Sequence, residues 1–338
     1  MRRPFSWAQS VGALVGLVVV AGIVLYLVPS SDYILLPDTA HPVAPLVRVQ
    51  GAHPPKGAGS VYFVDVFERR ASMLESLFPF IRSGSTLVPA KLIVPPCSND
   101  QQVRRTDLRE MTLSQQIAAA VALRALGYRV RSTPDGVIVT SLELGSHATC
   151  KLQPDDVITA VDGTATPTLA ALEQRMHRVH PGEKVTLAVD RAGKSLTVHV
   201  QTIKDPFNPE RAIIGFSPDQ SAAIHLPIRV QIDAGNVGGP SAGLAFALQI
   251  MEVLGKNVAH GYRVAATGEM MLDGTVGPIG GVEQKTVGAR QAHADVFLVP
   301  AAGDNAADAR RYAHGLKIIA VKSFPQALRA LATLPQKR

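Results

Sequence analysis

Two residues in the C-terminal third of the chain have the types and surroundings for nucleophilic chemistry without a histidine. Ser241 lies in Gly238-Gly239-Pro240-Ser241-Ala242-Gly243, directly ahead of an apolar run. Pro240 suits the first turn of a helix, and Leu244, Ala247, Leu248 and Met251 recur at helical spacing. That phase turns Ser241 toward the buried stripe, at the positive end of the predicted helix. The N–H groups there, with the Gly-rich loop, are suited to stabilising an oxyanion. A serine at a helix start is also an ordinary cap, so Ser241 needs a partner to count as a nucleophile. Further on, Pro278-Ile279-Gly280-Gly281 reads as a turn and Val282–His293 as a helix, with Val282, Lys285, Thr286 and Ala289 on one stripe. A lysine on a buried stripe either reaches back to the surface or is desolvated. Desolvation lowers its pKa and leaves a neutral fraction able to take a proton from a serine hydroxyl.

The pattern Gly239-x-Ser241-x-Gly243 also matches the nucleophile elbow of α/β-hydrolases, whose acid and histidine follow the serine in chain order. Asp273 or Asp295 followed by His314 meets that order. However, only about 130 residues follow Asp205, too few for that large sheet. The loop before Ser241 is not a tight strand-to-helix turn, and Pro240 is foreign to the elbow.

Three ordered motifs fit better: Gly238–Gly243, then Thr267-Gly268-Glu269, then Pro278-Ile279-Gly280-Gly281-Val282 with Lys285. Together they resemble the proteolytic domain of Lon proteases over roughly Asp205–Leu334. The resemblance implies an α/β (α+β) domain with Ser241 as nucleophile, Lys285 as general base and Thr267 hydrogen-bonding near the lysine. Gly239, Pro240 and Ala242 would form the turn and the oxyanion surroundings. It implies neither a metal nor a cofactor. Asn236-Val237-Gly238 stands where ATP-dependent Lon has an acidic Pro-Lys-Asp stretch, so a supporting carboxylate is not expected from that approach.

Upstream, Thr112-Leu113-Ser114-Gln115 reads as a capping box that opens a helix, with Leu113, Ile117 and Val121 on one stripe. The stretch Leu126–Gly163 that follows resembles a bacterial PDZ domain, with Thr168–Val179 as its second helix. Its closing hairpin would be Lys184–Asp190 with Ser195–Thr202. His147 and Asp155 depart from the usual Pro and Gly. By resemblance, Leu126-Gly127-Tyr128-Arg129 is the loop whose N–H groups catch a peptide's terminal carboxylate. The next strand edge would pair with that peptide by β-augmentation; alternatively, the domain only spaces its neighbours. The segment Ala188–Ser195 loosely imitates a phosphate-binding loop. It continues into the alternating stretch Ser195–Val200 rather than a helix, so Gly193-Lys194 reads as a hairpin turn.

Among the 338 residues, 46% are hydrophobic and 18% charged, a composition that describes a folded chain. Arg2 and Arg3 precede the uncharged apolar run Val11–Val28, bracketed by Trp7 and Tyr26. The run ends in Tyr26-Leu27-Val28-Pro29 rather than small residues, which favours a retained anchor over a cleaved signal. Either way the remainder is expected outside the cytoplasm. The net charge of +7 is spread in pairs such as Arg69-Arg70 and Arg310-Arg311, with no basic run interleaved with aromatics, so nucleic acid is not an expected partner. Cys97 and Cys150 are the only cysteines, open to a disulfide or to two separate thiols.

The expected organisation is multidomain. A transmembrane anchor (1–30) precedes a β-rich membrane-proximal segment (31–110) without active-site features, a PDZ domain with its leading helix (111–203) and a Lon-type proteolytic domain (204–338). This order resembles the ATPase-free, membrane-anchored PDZ–Lon proteins of bacteria. That resemblance implies an ATP-independent, single-pass serine endopeptidase of the cell membrane. It would cleave exposed or unfolded segments on the extracytoplasmic side, take protein or peptide substrates through the PDZ domain, and form a homo-oligomer, a hexamer by family analogy. The rival is a non-catalytic PDZ adaptor with an idle Lon-like fold.

Overall fold

The computed structural model of the chain describes residues 7–55, 57, 59–143, 145–335 and 337; Arg2 and Arg3 lie outside them. Helix α1 (Trp7–Leu27) is apolar on every side, and its Ser10–Leu27 stretch is long and apolar enough to cross a membrane. Strands β1 (Pro29–Pro37), β2 (His41–Pro42), β3 (Val47–Val49), β4 (Ser60–Phe63), β5 (Val66–Ser72) and β6 (Thr86–Pro89) follow, with short helices α2 (Met73–Leu77) and α3 (Ala90–Ile93). Strand β1 lies between β5 and β6 in a three-stranded sheet.

Helix α4 (Asp100–Ala125) starts earlier than the sequence motif predicts. Its N-cap is Asn99, paired with Gln102 in a capping box. Thr112 lies within the helix and donates its hydroxyl to the Leu108 carbonyl, 2.9 Å away. A mid-helix threonine satisfied four residues back imitates a cap in sequence.

The PDZ-like unit contains β7 (Arg131–Leu142), β8 (Val157–Val161), β9 (Thr164–Ala165), α5 (Leu169–Met176), β10 (Lys184–Arg191) and β11 (Lys194–Gln201). Val137, Val139, Ile158, Leu172, Val185 and Leu187 fill its core. Asp155 adopts a left-handed φ of 67°, which accounts for glycine being usual there. Asp156 is buried and held by Arg191 at 2.7 Å. Gly193-Lys194 turns the β10–β11 hairpin, as the alternating pattern predicts.

After β12 (Ile203–Lys204) and β13 (Ala212–Ile213) come strands β14 (Phe216–His225) and β15 (Val230–Ile232). Then come α6 (Gly243–Val253), β16 (Arg263–Ala266), β17 (Glu269–Met270), β18 (Val276–Gly277), α7 (Val282–Gln291), β19 (Val296–Pro300), α8 (Asn305–Tyr312), β20 (Lys317–Val321) and α9 (Phe324–Ala332).

These elements do not respect the expected boundary at residue 204. The central sheet runs β2-β4-β16-β19-β20, with β4 parallel to β16 in the register Val61 to Val264 and Phe63 to Ala266. Strand β3 pairs with β15. Met111, Ala118 and Val121 of α4 share a core with Leu244 and Leu248 of α6. The segment 31–110 and the leading helix are therefore part of the body that carries Ser241, and the PDZ-like unit is inserted between its two halves. Strand alternation explains the layers. Val264, Ala266 and Leu298 face α4, α6 and α9, whereas Ala265, Phe297 and Val299 face α7 and α8.

Cys97 and Cys150 form a disulfide with a Cα–Cα distance of 5.2 Å, tying the approach to α4 to the inserted unit. The cross-link spans a sequence separation of 53, for which chain entropy gives a stabilisation of about 4 kcal/mol. Replacing both cysteines with serine is expected to lower the thermal midpoint measured without reductant; an unchanged midpoint would contradict a stabilising role.

Candidate active site

The loop that bears Ser241 is held from a distant part of the chain. Helix α4 grips residues 236–240. Ser114 Oγ donates to the Pro240 carbonyl at 2.8 Å, Gly239 N–H donates to the Asp107 carbonyl at 2.8 Å, and Arg104 donates to the Asn236 carbonyl. Gly239 turns the chain at a φ of 81°. At Gly243 a Cβ would lie 2.9 Å from both Met270 Cβ and Ser114 Oγ. Only glycine lets the start of α6 approach β17 and α4 this closely.

The fold brings Ser241 and Lys285 together. Ser241 lies just ahead of α6, whose N-cap is Ala242, and Lys285 lies on the first turns of α7. Lys285 Nζ donates to Ser241 Oγ at 2.8 Å, with the lysine only 5% exposed. Burial lowers the Lys285 pKa to about 8 from its ordinary 10.5, against the opposing pull of Asp65. At that pKa about a quarter of the lysines are neutral near pH 7.5, against about one in a thousand for a free lysine. The pair therefore has the ground-state geometry of a nucleophile and its base.

Thr267 is fully buried at the end of β16, but its hydroxyl donates to the Ser241 carbonyl at 3.2 Å rather than to the lysine. Gly268 N–H donates to the same carbonyl at 2.8 Å. These bonds fix the backbone of Ser241. Of the residues predicted around the oxyanion, Gly239 already spends its N–H on Asp107 and Pro240 has none. Ala242 keeps a backbone N–H at the start of α6, with no backbone partner among the described residues.

The residue missed by sequence reasoning is Asp65, between β4 and β5. Its Oδ1 is buried without a hydrogen-bond partner among the described residues, with His41 Nε2 3.7 Å away. The adjacent Val66 abuts Gly281 at the start of α7. Asp65 is the charge that holds the Lys285 pKa up. A carboxylate does serve the lysine, but it comes from some 170 residues before the serine approach. No motif links the two positions. The rival triad does not assemble: His314 is exposed in a turn, and Asp295 is engaged by Lys337 and Arg263.

The predicted peptide-binding loop is closed in this structure. The N–H groups of Leu126, Gly127 and Tyr128 bond to carbonyls of Ala122, Arg124 and Leu123, completing the C-terminus of α4. These three N–H groups are engaged within the chain, whereas that of Arg129 has no backbone partner among the described residues. The strand edge expected to receive a peptide is also filled. Strand β7 has β8 on one side and β14 on the other, and β14 pairs with it from Phe216 with Leu142 to His225 with Arg131. Gln220 fastens β14 in place, accepting from Leu169 N–H at the start of α5 and donating to the Gly136 carbonyl. The pairing is antiparallel, as an added peptide strand can be, but it is supplied by this chain.

A cavity of about 250 Å³ opens between α4, β14 and β17 and reaches Pro240, beside the nucleophile. Its walls carry Glu110, Asp155, Asp219 and Glu269. Burial and neighbouring carboxylates push Glu110 up to about 8, and burial pushes Asp155 up to about 6.

Comparison with known proteins agrees with this geometry. Residues 210–333 match the Lon protease (S16) C-terminal proteolytic domain. Over that stretch the chain is similar to a Lon-type proteolytic domain. Residues 124–202 match the PDZ domain. Lon protease 2 of Bacillus subtilis is 36% identical over 123 residues, which cover 36% of this chain and 21% of that protein. Lon protease 1 of Sorangium cellulosum is 36% identical over 109 residues, covering 29% and 13%. This chain thus spans about a fifth or less of the length of these relatives. Among solved structures, the PDZ domain of an SdrC-like protein from Listeria monocytogenes is 24% identical, covers 25% of this chain and 87% of its own, and superposes with a TM-score of 0.23. The Lon match begins at residue 210, downstream of the strands and helix that complete the Lon-type body in space.

The acid limb of a kcat/KM profile should reflect deprotonation of Lys285, with activity rising through about pH 8. Asp65 favours the ammonium form, so Asp65→Asn is expected to move that limb to lower pH by about one unit. An unmoved limb, or one moved upward, would contradict the coupling.

Proposed function

We propose that the protein is a membrane-anchored, ATP-independent serine endopeptidase that cleaves exposed or unfolded polypeptide segments on the extracytoplasmic side. The observation that carries this reading is the 2.8 Å bond from buried Lys285 to Ser241 within a Lon-type domain. The apolar span Ser10–Leu27 supports anchoring. The Cys97–Cys150 disulfide supports an oxidising compartment.

In this mechanism, neutral Lys285 takes the Ser241 hydroxyl proton as Oγ attacks the scissile carbonyl. The negative charge on the tetrahedral intermediate falls near the Ala242 N–H at the start of α6. Collapse breaks the C–N bond, and Lys285 gives its proton to the leaving amine, leaving an acyl group on Ser241. Water, deprotonated by Lys285, then attacks the ester and frees the second product and the serine hydroxyl. Thr267 and Gly268 keep the Ser241 backbone fixed through both steps. The cavity beside Pro240 is where a substrate segment would lie. The PDZ unit acts here chiefly through β14, which joins its sheet to the loop that bears the nucleophile; substrate capture on β7 would first require β14 to leave.

The test is cleavage of an unstructured protein by the full chain in detergent or lipid, with no nucleotide added. Ser241→Ala and Lys285→Ala should each reduce turnover by about 10³-fold or more. Turnover within tenfold of wild type in either purified, folded variant would overturn the dyad.

A further inference from the structure

The stretch Leu77–Ile81 exposes large apolar side chains beside the anchor helix. Phe80 is 81% exposed, Leu77 56% and Ile81 49%. Phe78 meets Phe80 edge-on, with ring centroids 6.0 Å apart. A contiguous exposed apolar surface of this kind marks a contact site.

Its position points to the occupant. Met73 N–H, at the start of α2, donates to the Val28 carbonyl at 2.8 Å, directly after α1. Helix α2 packs against α1, and Arg69 on β5 lies within electrostatic reach of Tyr26. The patch is thus level with the end of the apolar span. A helix of 21 residues is roughly 30 Å long, enough to cross the hydrocarbon core, so this level is the bilayer surface.

The charges around the patch suit the same occupant. Glu75 of α2 is buried and paired with Arg69 at 2.7 Å and Arg82 at 3.3 Å; Arg69 first, then the N–H and hydroxyl of Ser72, hold its carboxyl down at about 2. Asp32 accepts from Ser76 at 3.2 Å. Arg82, directly after the apolar run, keeps a half-exposed side chain, placed to meet phosphate headgroups while the aromatic rings go deeper.

We infer that Leu77–Ile81, with Phe80 at its tip, inserts into the outer leaflet and seats the catalytic body on the bilayer beside its anchor. This rests on reading α1 as a membrane span. The inserted depth would be that of an interfacial segment, about 5–10 Å below the headgroup boundary. Attachment would then be at two points, α1 and this loop, which restricts how far the body can tilt.

The chain has one tryptophan, Trp7, so each point can be probed separately. The full-length protein and its Trp7→Phe/Phe80→Trp variant are reconstituted in vesicles of phosphatidylcholine brominated near the carbonyl end of its acyl chains. The variant is expected to lose roughly half its tryptophan emission relative to unbrominated vesicles, and less when the bromines lie near the chain ends. Quenching of Trp7 in the native sequence without quenching in the variant, as contact between two protein copies would give, overturns the inference and leaves the anchor standing. Unquenched Trp7 in the native sequence overturns the anchor, and the insertion with it.

Discussion

The constraint on which this structure depends is the enclosure of one lysine. Lys285 is buried on α7 and bonded to Ser241 at 2.8 Å. A fully hydrated lysine would remain an ammonium and could accept no proton. A lysine buried with no charge nearby would strongly disfavour the ammonium form. The enclosure lowers its pKa to about 8, and Asp65 limits the fall. The other features of the site serve that balance. The central sheet separates α6 from α7 so that their first turns meet at one end of it, and α4 holds the loop that presents the serine.

That arrangement explains why the chain can interrupt its catalytic body with another unit. The strands and helix that precede the insertion, β4 and α4, supply central-sheet pairing and the grip on residues 236–240. The PDZ unit leaves from the end of α4 and returns through β14, which adds to its sheet and then leads to β15 and the nucleophile loop. The disulfide from Cys97 to Cys150 adds a third tie between the two bodies. The PDZ unit's loop N–H groups cap α4 and its strand edge pairs with β14, so the unit is tied into the body that carries Ser241.

The sequence made some of this legible and concealed the rest, for physical reasons. Ser241 and Lys285 could be picked out because Ser241 directly precedes an apolar helix and Lys285 falls on the apolar stripe of α7. The β10–β11 hairpin was readable from alternation, and helix α5 from the resemblance to a PDZ domain. Asp65 was hidden because its partner is distant in sequence and its flanking strands show only that they are strands. The split of the catalytic body was hidden in the same way: Ser60–Phe63 reads as a strand, but its pairing with Arg263–Ala266 is a property of the folded chain. Thr112 misled because a back-bonded threonine and a capping threonine look alike in sequence. In the peptide loop, N–H groups that suit a carboxylate suit helix carbonyls equally well, and here they bond to the end of α4.

The central claim, that Lys285 activates Ser241, is tested most directly by mapping the adduct of a serine-directed β-lactone by mass spectrometry. The full chain and its Lys285→Ala variant would be compared near pH 8. The account predicts a single adduct on Ser241 in the native protein and its loss in the variant. An adduct on another serine, or one on Ser241 that forms equally fast without the lysine, would contradict it.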